Sequence, residues 1–407
     1  MSPSPDPDER AVRLCIVGSG TTFLSGISYY TYFLASCLDT TFTTSVILMR
    51  RLVPRFMYPG ADRVGAAITD LDASKVVPTF DGVDWYSPRS ILRAGRFLEA
   101  HSPDVIVFQW WTGAVLPAYL YLARRTRTRG GKIVIEFHED QDTGEASLPL
   151  VERLVRPGLR WLIGAADGYV VHSEWDRDRL SAKLGIDPHR VRVVLHGPYP
   201  MAGTQEDAPI ARTPADPVVG SDDGRQVVTV LFFGTIRPYK GLEDLVDAFD
   251  LLPREDVDWR LLVIGETWEG WNLPAEKIAA SRHRADIDFI NRYVTDDELR
   301  SGLDRADIAA LPYTRSSASG PLHIVMQRGL PVVISDVGGL SEAAGPYAGA
   351  AFVPPSDPPA IASALVAALP DIGLRYPDPH SWESTRDGYR ALVENLLATP
   401  SAETTPG

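Results

Sequence analysis

Arg237 and Lys240 follow Gly234 by three and six residues in FFGTIRPYKGL, residues 232–242. The apolar run before them has the pattern of a buried strand, and the stretch that Lys240 opens has that of a helix, so both cations fall on the connecting loop. Lys240 is one of only five lysines in the chain, which makes its placement informative. Two cations beside a helix N-terminus suit a diphosphate, because side-chain charge, exposed N–H groups and the helix dipole act on the same anion. A second small-residue loop lies downstream, where Ser316, Ser317, Ser319 and Gly320 precede another helical stretch. A glycine at that point lets an anion approach bare backbone. The first strand also ends in glycines, Gly18-Ser19-Gly20, but the third glycine of the dinucleotide fingerprint is missing at its spacing and no Walker lysine follows. That argues against a nicotinamide dehydrogenase.

His138 closes another apolar run, with Glu136, Glu139, Asp140 and Asp142 around it. A hydrogen-bonded structural histidine and a functional one both fit this context. His196, in LHGPY, has the setting of a structural residue near a domain junction. Asp-x-Asp occurs at 6–8, 70–72, 140–142, 256–258 and 286–288, too often in an acidic chain to mark a metal site. Two phosphate-binding cations would make a metal redundant, since they supply the same stabilisation of a leaving anion. Trp110, Trp111 and Tyr119 could stack on a substrate or fill the core. The stretch from Met49 to Tyr58 mixes arginines with apolar residues and could touch an anionic or lipid-linked molecule or a membrane surface, or be a solvated loop.

The elements that would position these residues follow one rhythm. Residues 11–18, 44–49, 104–108, 132–137, 167–173 and 190–195 form β-branched apolar runs with helical patterns between them, including 27–38 and 174–184. Residues 201–226, rich in Pro, Gly, Asp and Ala, interrupt the pattern as a linker or surface loop. A second alternation follows, with strands at 227–234, 259–266, 287–290, 306–313, 330–336 and 349–353. The pattern predicts two Rossmann-like α/β halves with a cleft between them and ligands at the carboxyl ends of the strands. The length of 407 residues accommodates two such domains. The uncharged run Val105–Ala123 approaches membrane length, but Gln109, Thr112, Gly113 and Pro117 break it into a strand, a loop and a helix. A formal charge of −13 argues against a general nucleic-acid binder. Cys15 and Cys37 are too few for a disulfide framework or a zinc cluster, and buried thiols in a reducing compartment fit both. The acidic, Pro-rich start lacks the apolar core of a signal peptide.

The segments FFGTIRPYKGL, ADIAALPY, SASGPLH and GLPVVISDVGGLSE resemble retaining GT-B glycosyltransferases of the family-four type, which use nucleotide sugars. SGISYYTYFLA, EFHED and DGYVVHSEWDRDRL…HRVRVVLHGPY extend the resemblance through the first half. It implies that Arg237 and Lys240 bind the donor diphosphate and that Ser319 and Gly320 meet the same phosphates through backbone. Tyr293 and Val294 match the segment lining the base pocket, with Glu266 at the strand end beside it. His138 matches the active-site histidine near the transferred sugar, and Gly26 matches the flexible loop that meets the donor phosphates. The helix around Trp382–Leu397 matches the one that crosses back onto the N-terminal domain. The family often carries Glu-x7-Glu, and here those positions fall at Ser316 and Ile324, neither acidic.

The expectation is therefore a GT-B fold. Residues 1–200 form an N-terminal acceptor domain, 227–380 a C-terminal nucleotide-sugar domain, and 381–407 a helix packing on the first. The expected activity is metal-independent, retaining transfer of a hexose-type sugar from a nucleoside-diphosphate sugar to an acceptor hydroxyl (glycan, lipid-linked or small molecule). No cofactor, metal or nucleic acid is expected, and the expected location is cytoplasmic, with peripheral membrane contact as an open alternative. A nucleotide-sugar epimerase or phosphorylase on the same fold, or a catalytically impaired partner subunit, are the other classes.

Overall fold

The structure, a computed structural model, describes residues 11–20, 26–51, 71–138, 149–199, 225–267, 271–316 and 319–398. Contacts divide the chain into two units, Met1–Leu195 with Trp382–Gly407, and His196–Ser381. The first unit contains β1 (Arg13–Ser19), α1 (Gly26–Leu38), β2 (Thr43–Arg51), β3 (Thr79–Asp84), α2 (Pro88–His101), β4 (Val105–Trp110), α3 (Leu116–Arg127), β5 (Lys132–Phe137), α4 (Pro149–Ala165), β6 (Gly168–Val171), α5 (Glu174–Leu184) and β7 (Val191–Val193). Its seven strands lie in the order β3-β2-β1-β4-β5-β6-β7, all parallel. The second unit contains β8 (Gln226–Phe233), α6 (Leu242–Leu251), β9 (Val257–Ile264), α7 (Leu273–Ala280), β10 (Ile287–Ile290), α8 (Asp296–Arg305), β11 (Ile308–Leu311), α9 (Gly320–Gln327), β12 (Val332–Ser335), α10 (Gly338–Ala344), β13 (Ala350–Val353) and α11 (Pro358–Ala367). Its six parallel strands run β10-β9-β8-β11-β12-β13. The last helix, α12 (Trp382–Ala398), returns to the first unit.

The strands form because the sequence supplies continuous apolar runs, which a sheet covered on both faces requires. β1, β4, β5 and β12 are buried at nearly every position. The run from Val105 to Ala123 is β4, a short 3-10 turn and α3, and among the described residues no helix is long and apolar enough to cross a membrane. β3 has no counterpart among the predicted strands. Its sequence TFDGVD carries Asp81 and Gly82, and it lies at the sheet edge where only part of it is buried, so no apolar run announces it.

α12 docks through Tyr389 and Leu392, which are buried, and through Leu396, which lies against Gly168 of β6 beside Leu392. Trp382 packs on Tyr30 and Phe33 of α1, and Thr385 donates to the carbonyl of Leu195 at 2.8 Å. Cys15 is buried, and burial pushes its thiol up to about 12. Cys37 is only half-buried because it lies at the edge of the α1–α12 contact, where its Sγ faces the Trp382 carbonyl at 2.9 Å.

Candidate functional site

In the second unit the candidate donor residues come from four neighbouring strand ends. Tyr293 and Val294 follow β10, Glu266 follows β9, Arg237 and Lys240 follow β8, and Ser316, Ser319 and Gly320 follow β11. Since the strands are parallel and adjacent, these loops stand side by side along the carboxyl edge of one sheet. Glu266 lies two residues past β9, and its carbonyl accepts from the Ile236 N–H at 2.8 Å, tying that loop to the Arg237 turn.

Two of the loops meet directly. Gly234 has φ 99°, and a Cβ there would lie 3.1 Å from Lys240 Nζ and 3.4 Å from Pro321 Cγ at the start of α9. The Lys240 ammonium is 5.3 Å from the centroid of the Tyr313 ring, within cation–π range. Lys240 is 7% exposed, so it is no solvated surface cation. Arg237 is half-buried one turn away.

The expectation that Lys240 opens a helix needs correction. Pro238–Lys240 is a 3-10 turn, Gly241 takes the left-handed conformation, and α6 begins at Leu242. A Cβ on Gly241 would fall 2.1 Å from the Pro312 carbonyl oxygen, so only glycine allows this approach. The first turn of α6 carries Glu243 and Asp244, which already complement its dipole. The start of α9 has no acidic residue in its first turn, and Ser319 caps it by accepting from Leu322 N–H. The start of α9 is thus the better placed of the two for an anion, and its Pro321 and the Lys240 ammonium both border Gly234. Ser316 is buried and its carbonyl accepts from Gly339 N–H, while Ile324 packs against the apolar core of the unit. Ser317 lies outside the described residues.

In the first unit the structure builds a site around Glu136 that the sequence showed only in fragments. Glu136, fully buried near the end of β5, accepts from Tyr30 of α1 at 2.5 Å and from Tyr389 of α12 at 2.6 Å, both on Oε1. Its Oε2 accepts from Gln109 of β4 at 3.0 Å. Gln109 in turn accepts from Thr31, and Gly18 must lack a side chain because a Cβ would lie 2.1 Å from Gln109 Oε1. His138, just past β5, has Nε2 3.4 Å from Glu136 Oε2 and Nδ1 3.3 Å from Nε2 of His172. His172 Nδ1 faces the Val194 carbonyl at 3.0 Å. A carbonyl only accepts, so His172 carries its proton on Nδ1 and offers Nε2 to His138. His138 Nδ1 therefore donates to His172 Nε2, and His138 Nε2 stands beside the Glu136 carboxylate.

Among the described residues, Glu136, His138 and His172 offer ligand atoms within 4.8 Å of one another. The Glu136 oxygens are already taken by three donors, so the trio is a hydrogen-bond chain rather than a ligand set. The other acidic motifs find arginines. Asp258 and Asp286 pair with Arg260, Asp286 also with Arg254, and Asp288 with Arg305. The motifs at 6–8 and 140–142, and Asp70, lie outside the described residues.

Burial pushes the Glu136 carboxyl up, but His138, His172 and the Tyr30 hydrogen bond outweigh it and hold the group at about 2. Burial, reinforced by His138, pulls His172 down to about 4 against the opposing effect of Glu136. Both shifts have the same sign in linkage. Between pH 6.5 and 4 the unfolded chain protonates His172 and the folded chain does not; from about 4.5 to 2 the same holds for Glu136. Stability is fully present above pH 6.5 and is lost on acidification. Thermal melts should therefore fall steadily below pH 6.5, at about 1.4 kcal/mol per pH unit for each group in its window. His172→Gln should flatten the upper window alone, and an unchanged acid profile in that variant would contradict the assignment.

Trp110 and Trp111 are each 8% exposed and pack around Tyr119, which places all three in the core rather than on an acceptor. Gly26 is the exposed first residue of α1, four residues before Tyr30, and residues 21–25 lie outside the described part. His196 is buried at the start of the second unit, bonded to Tyr199 Oη at 2.8 Å and stacked on His323 of α9 at 4.4 Å. Tyr199 lies 3.3 Å from where a Cβ on Gly320 would stand. Of the basic stretch 49–58, Met49 is buried and Arg50 pairs with Asp84 at 2.6 Å; residues 52–58 are outside the described part.

Sequence reasoning missed Tyr30, Gln109, His172 and Tyr389. The available signal was polarity inside apolar strands, at Gln109 and Glu136, where a buried polar group demands partners.

Two family models match the chain. The 4-like domain of glycosyl transferases covers residues 25–197, and glycosyl transferases group 1 covers 227–371. The D-inositol 3-phosphate glycosyltransferase of Segniliparus rotundus is 30% identical over 274 residues, covering 63% of this chain and 59% of that protein. The chain thus aligns with less than two thirds of the length of this relative. The sucrose-phosphate synthase (tll1590) of Thermosynechococcus elongatus superposes with a TM-score of 0.62 at 14% identity, covering 95% of this chain and 96% of that one. Anabaena Alr3699/HepE, solved in complex with UDP-glucose, superposes with a TM-score of 0.58 at 13% identity, covering 95% and 100%. With its two parallel-sheet Rossmann-like halves, each matched by its own family model, the chain belongs to the family-four type of GT-B glycosyltransferases.

Proposed function

We propose that the protein is a retaining glycosyltransferase that moves a hexose-type sugar from a nucleoside-diphosphate donor to an acceptor hydroxyl. The observation that carries this reading is that Lys240 and the start of α9 both border Gly234, on the loops that also carry Arg237 and Ser319, at the carboxyl edge of the second sheet. The second unit is the donor domain and the first the acceptor domain. UDP-glucose in a structural neighbour supports the donor class, and the name of the inositol-phosphate relative supports a small polyol acceptor.

Arg237 and Lys240 stabilise the charge that grows on the diphosphate as the bond to the sugar breaks, and the N–H groups of α9 add fixed dipoles. Glu266, Tyr293 and Val294 line the base side. The family resemblance is what assigns Gly26 to the donor phosphates and His138 to the transferred sugar. The resemblance to the family favours attack from the face the diphosphate leaves, without a glycosyl-enzyme intermediate. The two cations supply the leaving-group stabilisation that a divalent ion gives elsewhere, so the reaction needs neither metal nor cofactor. The proposed setting is the cytoplasm.

Turnover of UDP-glucose, followed by proton NMR of the product, should give the donor's own anomeric configuration at a rate unchanged by chelator. An inverted product, or activity that chelation abolishes, would contradict the proposed site. Conversion of the donor with no acceptor present would favour an epimerase.

A further inference from the structure

The strand order of the first unit sends the chain in one direction across the sheet from β3 to β4, β5 and β6. Right-handed crossovers therefore put α2, α3 and α4 on one side of it. They pack in sequence. Gly95 of α2 lies against Tyr121 of α3, and Gly158 of α4 against Leu116 and Leu120. The outer surface of this layer is basic. On α2, Arg89, Leu92, Arg93 and Arg96 are exposed at helical spacing i, i+3, i+4 and i+7, which is a single face. α3 adds Arg124, Arg125 and Arg127, and α4 adds Arg156 and Arg160 one turn apart.

Among the described residues, Glu99 pairs with Arg125 and Arg129, and Asp167 pairs with Arg127. Arg89, Arg93, Arg96, Arg156 and Arg160 pair with no carboxylate among the described residues. Such a concentration is not a product of composition, because the whole chain carries −13. Large apolar groups stand among the arginines. Leu92 is 48% exposed, Tyr86 beside the helix 40%, and Trp161 38%, with the Arg124 guanidinium 4.3 Å over its ring.

We propose that the α2–α3–α4 face is a docking surface for an anionic lipid bilayer. Arginines meet headgroup phosphates, while Leu92, Tyr86 and Trp161 enter the interfacial layer, where amphipathic aromatic rings are at home. A nucleic acid would use the charge but give the exposed leucine no role. The negative charge of the rest of the chain opposes any other approach to such a surface, so the contact also fixes orientation. This docking does not depend on the transfer chemistry.

The test is flotation of the full chain with phosphatidylglycerol–phosphatidylcholine vesicles, with phosphatidylcholine alone as reference. Binding should require the anionic lipid and weaken with added salt. Arg89→Gln, Arg93→Gln and Arg96→Gln together should lower affinity on the order of a hundredfold, and Leu92→Ser alone by a smaller factor. All four side chains are exposed, so melting temperature should not change. Three results overturn the proposal: no flotation of the wild-type chain at low salt, flotation of the triple variant equal to wild type, or retention on duplex DNA without vesicle binding.

Discussion

Lys240→Met should turn over donor roughly ten- to a hundredfold more slowly than the wild-type chain and bind donor more weakly. The size follows from a charge-assisted bond worth about 1.5–3 kcal/mol, strengthened in the transition state as charge gathers on the leaving phosphate. Methionine keeps an unbranched apolar stem and removes the ammonium that stands over the Tyr313 ring, so the loss reports the charge. Arg237→Ala should act in the same direction. Arg237→Lys should recover only part, because a point charge cannot reproduce a planar fork. Arg125, exposed and paired with Glu99, is the control. The measurement is steady-state kcat together with donor Kd. Wild-type turnover in both the Lys240 and Arg237 variants would move the diphosphate site elsewhere.

The second large effect belongs to Glu136. Glu136→Ala removes the acceptor of Tyr30, Tyr389 and Gln109 together and leaves three buried donors unsatisfied. Each such loss costs about 1–3 kcal/mol. Denaturant unfolding of the first unit should show a loss of that order. Tyr389→Phe, which leaves two donors on the carboxylate, should cost about 1.5–3 kcal/mol. Equal stability of Glu136→Ala and wild type would mean that the network contributes nothing net. Because His138 is the group Glu136 holds, Glu136→Gln should also shift the pH profile of turnover, an effect that loss of packing alone does not produce.

The two sites were unequally legible before the structure. Arg237, Lys240, Ser319 and Gly320 stood out as candidates because glycines and cations in short loops at strand ends form a local signal. The strand pattern likewise exposed twelve of the thirteen strands among the described residues, since buried parallel strands are continuous apolar runs. The edge strand β3 lacked such a run. The Glu136 network was not legible because its members are scattered. Tyr30 lies 106 residues and Tyr389 253 residues from Glu136, and each tyrosine sits in a helix where it looks like ordinary core. His172 looked like the polar end of a strand until the fold set it beside His138. The same lack of local signal hid the arginine face, whose members become neighbours only when three helices are stacked.

The return of α12 has a consequence for biosynthesis. A ribosome delivers Glu136 and then 253 further residues before Tyr389 exists. At 5–20 residues per second that interval is about 13–50 s, long enough for much of the intervening unit to emerge. The first unit is thus begun before the second and completed after it, its buried carboxylate lacking one tyrosine until residue 389 is made. Nascent chains stalled before residue 389 carry an N-terminal half that cannot finish, a departure from the usual vectorial order.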